Sequence, residues 1–295
     1  MRTLIGVALV AAAGAGVAVA LRSVSASQVS SAQDSSAIAG DSLRVCADPN
    51  NLPYSNAQGA GFENKIAEMI GASLHRPVGY VWWAQRRGFV RNTLNAGMCD
   101  LVVGTVAGMD MLATTRPYYR SSYVFVSRRD RRLNVRSFDD PRLRTLRIAI
   151  QLIGDDGVNT PPAHALANRG ITKNLVGFTV YGDYRKPNPT EAIVDAVVNR
   201  EADVAVVWGP LAGYYARRLA VPLDLVPVWP RIDVPYLPFV FDIAMGARRR
   251  DTTFRAQLDD FIVARHQSID SILDAYGVPR VEASGSSNLI VGASR

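Results

Sequence analysis

The sequence predicts an α/β chain of two lobes around a central cleft, with a hinge between them and the first lobe discontinuous. Three observations predict it. Strand and helix patterns alternate through the first part of the chain, which implies a parallel sheet covered by helices. The alternation stops at an arginine-rich segment near residue 130 and then restarts. After the second alternation, one strand and two helical patterns remain that belong to neither unit, so the chain is expected to cross back and complete the first lobe.

In chain order, LRVCA reads as a strand, GFENKIAEMIGASL as a helix, PVGYVWW as a strand, GFVRNTLNAG as a short helix and CDLVVG as a strand. SSYVFVSR, residues 121 to 128, is a further strand. The second unit begins with the strand TLRIAI, the turn GDDG and the helix PPAHALANRG. NLVGFTV is a strand, and Asn188 and Pro189 supply an N-cap and a first-turn proline for TEAIVDAVVNR. ADVAVVW, GPLAGYYARRL and LDLVPVW continue as strand, helix and strand. The closing elements are the strand YLPFVFDIAMG and the helical segments DTTFRAQLDDFIVARH and SIDSILDAYG. The expected organisation is lobe 1 at 43–128 plus 236–280, lobe 2 with the hinge segments at 129–235, and a surface or loose tail at 281–295.

The N-terminus has the pattern of a secretory signal. Arg2 precedes the uncharged apolar run LIGVALVAAAGAGVAVAL, and Val24, Ser25 and Ala26 form a small-residue cleavage site. Residues 1–26 are therefore expected to be a signal peptide, and 27–42 a Ser/Ala-rich flexible spacer. A membrane anchor is the rival reading, because the run is near the lower limit for spanning. Cleavage leaves no stable membrane span. It also removes Arg2 and Arg22 from the 33 Lys+Arg, which leaves 31 against 26 Asp+Glu, or +5. That excess helps encounters with acidic partners without specifying nucleic acid, and no zinc-finger, RNP-like or lysine-rich tract argues for such a partner. Export to an oxidising compartment makes a disulfide between Cys46 and Cys99 the favoured reading over two buried thiols.

Catalytic signatures are missing. There is no GxSxG elbow, GxxxxGK[ST] phosphate loop or HExxH helix. His75, His164 and His266 each fall in or at the end of a helical segment, and the carboxylates show no pairing suited to acid–base work. A non-enzymatic protein with no metal and no cofactor is expected.

Ligands of open α/β folds sit at the C-terminal ends of strands. The loops there are DPNNLPYSN, WWAQRRG, GTVAGMDM, GDDGVNTPP, GDYRKPNPT and WGP. Asp48 and Asn50 occupy the first of these, stiffened by Pro49 and Pro53. Glu63 either reaches the cleft mouth or only neutralises a helix end. Asp155 and Asp156 either cap a loop or line the cleft and repel a carboxylate. Trp82 and Trp83 are adjacent, so within a strand they point to opposite sides, and Trp83 joins Trp208 as a candidate contact. Arg86 and Arg116 complete the candidates. The arginine groups at 128–136 and 248–250 read as solvated surface or as a steering patch for an acidic partner protein.

The segment TTRPYYRSSYVFV, with Asp100, Gly104, Pro117 and Tyr118 in frame, resembles the family 3 periplasmic solute-binding proteins of the amino-acid type. This resemblance implies a type II-like periplasmic binding protein fold. In that family an arginine after the glycine turn grips the ligand carboxylate through a bidentate fork. Here Asp110 and Met111 stand in that neighbourhood, and GDDG stands where glycine and threonine donors are usual, so the resemblance does not extend to amino-acid binding. RVCADPNNLPYSN, GFENKIAEMI, WWAQRRGFVRNTLNAGMCD, TTRPYYRSSYVFV and PVWPRIDVPYLPFVFDIAMG resemble, more closely and over residues 43 to 280, the J-protein family of bacterial methanol-oxidation clusters, MxaJ and XoxJ. That resemblance implies a periplasmic accessory protein, monomeric on its own, that assists maturation or activation of a PQQ-dependent methanol or alcohol dehydrogenase. The XoxJ branch accompanies the lanthanide-dependent enzyme. A cleft without its carboxylate clamp would then accept a peptide or loop, and inter-lobe motion would serve closure on the partner. Two alternatives remain: a receptor for a small polar solute other than a standard amino acid, and a carrier of PQQ or a lanthanide. Carboxylate oxygens suit a hard cation, but no spaced ligand loop accompanies them.

Overall fold

The computed structural model describes residues 41–153, 159–180 and 184–282, which fall within one compact unit. The leader, residues 27–40 of the spacer, the GDDG turn with Asp155 and Asp156, and the tail beyond Glu282 lie outside the described residues.

The first half of the fold is built on strands that alternate between two apolar faces. β1 (Leu43–Ala47) sends Leu43 and Val45 into one core and Cys46 into another, as the period of two requires. Two short pairs, β2 (Asn50–Asn51) and β3 (Ser55–Asn56), form a small hairpin before α1 (Phe62–Ser73). β4 (Val78–Trp82) pairs parallel with β1. The single helical turn α2 (Phe89–Asn92) leads to β5 (Leu101–Val106), which pairs with β1 on its other side. Cys46 and Cys99 form a disulfide with Cα atoms 5.6 Å apart, within the small core of Phe89, Leu94, Val102 and Leu112.

β6 (Ala113–Arg128) is twice the length expected from the sequence. Its first ten residues pair with the returning strand, and the rest, from Tyr123, pair with strands of the second half. Pro117 sits inside this strand because the ladder bulges there. Tyr119 opposes Ile243 and Pro117 opposes Ala244, so Tyr118 is the extra residue and Pro117 need not donate to a regular ladder.

The second half contains β7 (Ile148–Gln151), α3 (Pro161–Asn168), β8 (Leu175–Phe178), α4 (Ala192–Val198), β9 (Val204–Trp208), α5 (Gly209–Ala216) and β10 (Leu223–Pro227). The hairpin β11 (Ile232–Asp233) with β12 (Leu237–Pro238) precedes β13 (Val240–Ala247), which returns between β5 and β6. The resulting order is β4-β1-β5-β13-β6-β9-β7-β8, with β10 also on β6. Cores lie on both faces of the sheet. α1 packs with the last helix over Leu43, Val45, Leu101 and Met245, while α4 and α5 cover Val124, Val126 and Ala205. Phe125, Phe138, Ile148, Ile150 and Phe239 fill the opposite face of the second half.

Two local expectations are corrected. The two closing helical patterns are one helix, α6 (Thr252–Ala275). Residues 263–268 are exposed all round, so that stretch carries no buried periodicity. Asn188 does not cap with its side chain. It adopts a left-handed conformation (φ 48°), and its N–H donates to Asn50 Oδ1 at 3.3 Å. Pro189 does open the 3-10 turn that leads into α4.

Candidate functional site

Loops from the C-terminal ends of β1, β4 and β5 meet the ends of β7 and β9 across a cleft of about 380 Å³. One wall carries Tyr54, Gln85, Arg86, Gly104 and Thr105, and the facing side carries Gln151, Thr160 and Trp208. Tyr119, Tyr123 and Phe241 line the cleft where β6 and β13 pass between the halves.

Asp48 builds the rim without lining it. Its carboxylate accepts from Asn50 N at 2.9 Å and Gln85 N at 2.8 Å, which ties the loop after β1 to the loop after β4. Burial raises its pKa, opposed by those two hydrogen bonds and by the charge of Arg86. Asn51 extends the tie through its amide, which donates to Gln85 Oε1 at 2.8 Å. The guanidinium of Arg86 is exposed and has no hydrogen-bond or ion-pair partner among the described residues. Asn50 turns to the second half, donating to Lys186 O at 2.8 Å.

Glu63 lies deeper. Gly61 caps the start of α1, and it is a glycine because the backbone of Tyr54 leaves no room there for a Cβ. Asn64 Oδ1 accepts from Gly61 N and Asn56 N, both at 3.0 Å. Phe62 is locked edge-on among Tyr54, Tyr119 and Tyr276. The next side chain, Glu63, is thereby directed at Gly104, and a Cβ on Gly104 would collide with its Oε1. Glu63 is 9% exposed, lines the cleft, and makes no side-chain hydrogen bond or ion pair among the described residues. Burial alone pushes its carboxyl up to about 8.

Trp208 ends β9 against Tyr123 (5.3 Å) and Phe241 (5.8 Å) and lines the cleft. Trp83 lies just past β4, half-exposed, and does not line it. Arg116 lies against α6, its N–H donating to Asp259 Oδ1 at 2.7 Å, also away from the cleft. Asp100 is an anchor for the strand ends, held by Arg44 at 2.6 Å and Arg248 at 2.8 Å. Much of the arginine group at 128–136 is paired on the surface: Arg128 with Asp130, Arg129 with Asp224 and Arg131 with Asp203. Among the described residues no three His, Cys, Asp or Glu side chains gather to hold a metal, and no helix is long and apolar enough to cross a membrane.

The structure thus brings Glu63, Arg86 and Trp208 to one cleft, with Asp48 and Asn50 supporting its edge. Sequence reasoning did not name Gln85, Tyr119 or Tyr123 among its site candidates, although Gln85 stands within WWAQRRG and Tyr119 within the bulged PYY segment. The wall behind β5 offers Gly104, Thr105, Val106 and Met109 and no cation.

No family model matches the chain. It is 32% identical to Protein MoxJ of Methylorubrum extorquens over 249 residues, covering 80% of this chain and 81% of that protein. Among solved structures it is similar to XoxJ, a periplasmic binding protein from Methylobacterium extorquens AM1, at 33% identity and a TM-score of 0.66 over 82% of this chain and all of that one. It is also similar to MxaJ from Methlophaga aminisulfidivorans MPT, at 26% identity and a TM-score of 0.69 over 81% of this chain and all of that one.

Proposed function

The chain belongs to the MoxJ family, with MxaJ and XoxJ and their periplasmic-binding-protein-like α/β fold, and we propose from that premise that it is a periplasmic, non-catalytic accessory protein of a PQQ-dependent methanol or alcohol dehydrogenase. Its task is to bind the dehydrogenase and assist its maturation or activation, with a segment of the partner entering the cleft. The observation that carries this reading is the cleft wall behind β5. In an amino-acid receptor a cation there would take the ligand carboxylate. Here that wall has none, Arg116 is held on α6, and the lining is largely aromatic and aliphatic. With no cation on that wall to hold a free carboxylate, the aromatic lining suits side chains of a protein segment, as the cores of protein interfaces do. In this reading Asp48, Asn50, Glu63, Arg86 and Trp208 form the cleft and its edge, and Trp83 and Arg116 belong to outer surface available to the partner.

The test is to mix the mature protein with apo and mature dehydrogenase and follow complex mass by light scattering and the recovery of dehydrogenase activity. A defined complex with the apo-enzyme and faster recovery of activity are expected. Absence of both, together with tight binding of a small solute, would overturn the reading in favour of a solute receptor. Binding of free PQQ or a lanthanide without any complex would overturn it in favour of a carrier.

A further inference from the structure

We propose that the floor of the cleft is a binding site for an organic ammonium group, with Glu63 as its counter-ion and the aromatic faces of the cleft as its walls. Glu63 is a carboxyl built into a protein wall with no donor supplied to it. Buried polar groups are ordinarily satisfied, and one that is not asks for an explanation. Two features show that its position is constructed. Phe62 is fixed in an aromatic cluster immediately before it, and Gly104 clears the space its carboxyl occupies.

The missing partner is a donor. A ligand offering only acceptors would meet the O–H of the protonated carboxyl and could not pair with its ionised form. An ammonium supplies several N–H donors and a full positive charge. Tyr54, Tyr119, Tyr123, Trp208 and Phe241 line the same space, and aromatic faces attract cations through their quadrupoles. The volume of about 380 Å³ exceeds a bare ammonium ion and accommodates an alkylammonium of lysine length.

The groups that face Glu63 from neighbouring elements are Tyr118 and Tyr119 of β6 and Tyr80 of β4, each raised further above its ordinary value by burial. Glu68 on the same helix is exposed and acts on Tyr80. Arg86, the cation of the cleft lining, acts on Asp48 and Tyr184 at the rim. Glu63 is therefore protonated in the empty cleft at neutral pH. Binding exchanges that proton for the ligand: the carboxyl O–H breaks, the proton leaves to solvent, and the carboxylate pairs with the ammonium.

The source of the ammonium is either a lysine side chain of a protein segment or a free alkylamine. The site rests on the cleft as a binding surface and not on the identity of the dehydrogenase. The test titrates the mature protein by calorimetry with n-butylammonium, and with a blocked Gly-Gly-Lys-Gly-Gly peptide beside its norleucine counterpart, at several pH values and in two buffers of different ionisation enthalpy. Expected are at least tenfold tighter binding of lysine than of norleucine, or binding of the amine. Either should be accompanied by release of about 0.9 proton at pH 7 and by affinity that rises up to about tenfold per pH unit and levels off above 8. Binding of the peptide alone identifies a segment lysine, and binding of the amine alone identifies a small solute; both support the site. Glu63→Gln, nearly isosteric, should abolish proton release and pH dependence, with unchanged circular dichroism. Glu68→Gln should change neither. Equal affinity for lysine and norleucine without amine binding, binding that weakens as pH rises through 8, or no binding of either probe would overturn the proposal. None of these results depends on whether a complex with the dehydrogenase forms.

Discussion

Glu63 and Gly104 are complementary: the carboxyl occupies the volume that any other residue at 104 would need for its Cβ. Gly104→Ala is therefore expected to push the carboxyl end of the Glu63 side chain out of its place and to weaken ammonium binding, at little cost in stability because the displaced atoms end a flexible side chain. The check is the ammonium titration alongside denaturant unfolding, and wild-type affinity in the variant would refute the close contact. Glu63 also predicts a pH dependence whose sign is fixed. Its ordinary value is 4.5 and its folded value about 8, so between these pH values the folded state holds a proton that the unfolded state has lost. Stability contributed by the protonated group is full below 4.5 and falls as pH rises towards 8, by up to about 1.4 kcal/mol per unit. Glu63→Gln removes that fall. The stability of the variant relative to wild type should grow from pH 5 to pH 8, and a constant difference would refute the assignment. The sequence placed Glu63 at the start of a helix and left its target open. Its burial depends on β5 running alongside α1, a contact between residues 41 positions apart that no local pattern records.

The alternating strands and helices were legible because each has a face to bury: α1, α3, α4 and α5 lie where the apolar spacing places them. What escaped were features whose cause is non-local or absent from the pattern. The first part of β6 was missed because Pro117 interrupts the run TTRPYY and demotes it as a strand; a bulge opposite β13 accommodates the proline. α6 was divided because its middle turn packs on nothing. The Cys46–Cys99 bridge was foreseen from compartment and count, and its consequence belongs to these elements. It joins β1 to the start of β5 across a separation of 53 residues, for which loop entropy gives a contribution of about 4 kcal/mol. Cys46→Ala/Cys99→Ala, or reduction of the native protein, should lower the unfolding free energy by roughly that amount. Identical unfolding of oxidised and reduced protein would argue that the bridge contributes nothing.

At the scale of the whole molecule, the two halves are joined by more than the two strands that cross between them. Leu52, from the β2–β3 hairpin of the first half, is buried in the core formed by α4 and α5 of the second. Its carbonyl accepts from Thr190 Oγ1 at 2.6 Å, and that hydroxyl in turn meets Tyr215 OH at 2.8 Å. On the other side, Tyr276 at the end of α6 stacks on Tyr214 of α5 at 5.7 Å. The hinge motion expected from the sequence has to break the Leu52 seam. Exposing a leucine costs about 1.5–3 kcal/mol, and the Thr190 hydrogen bond adds about 1 kcal/mol. Together these hold a hinged-open form to about one molecule in a hundred or fewer. We therefore expect the cleft to receive its ligand largely preset. Small-angle scattering should give the same radius of gyration for the protein alone and with its cleft filled. Leu52→Ala, which costs about 2–5 kcal/mol of packing, should loosen the seam, so that the free variant is more extended and contracts on binding. If wild type instead contracts on binding as far as the variant does, the seam does not restrain the halves, and the cleft closes on its partner by hinge motion.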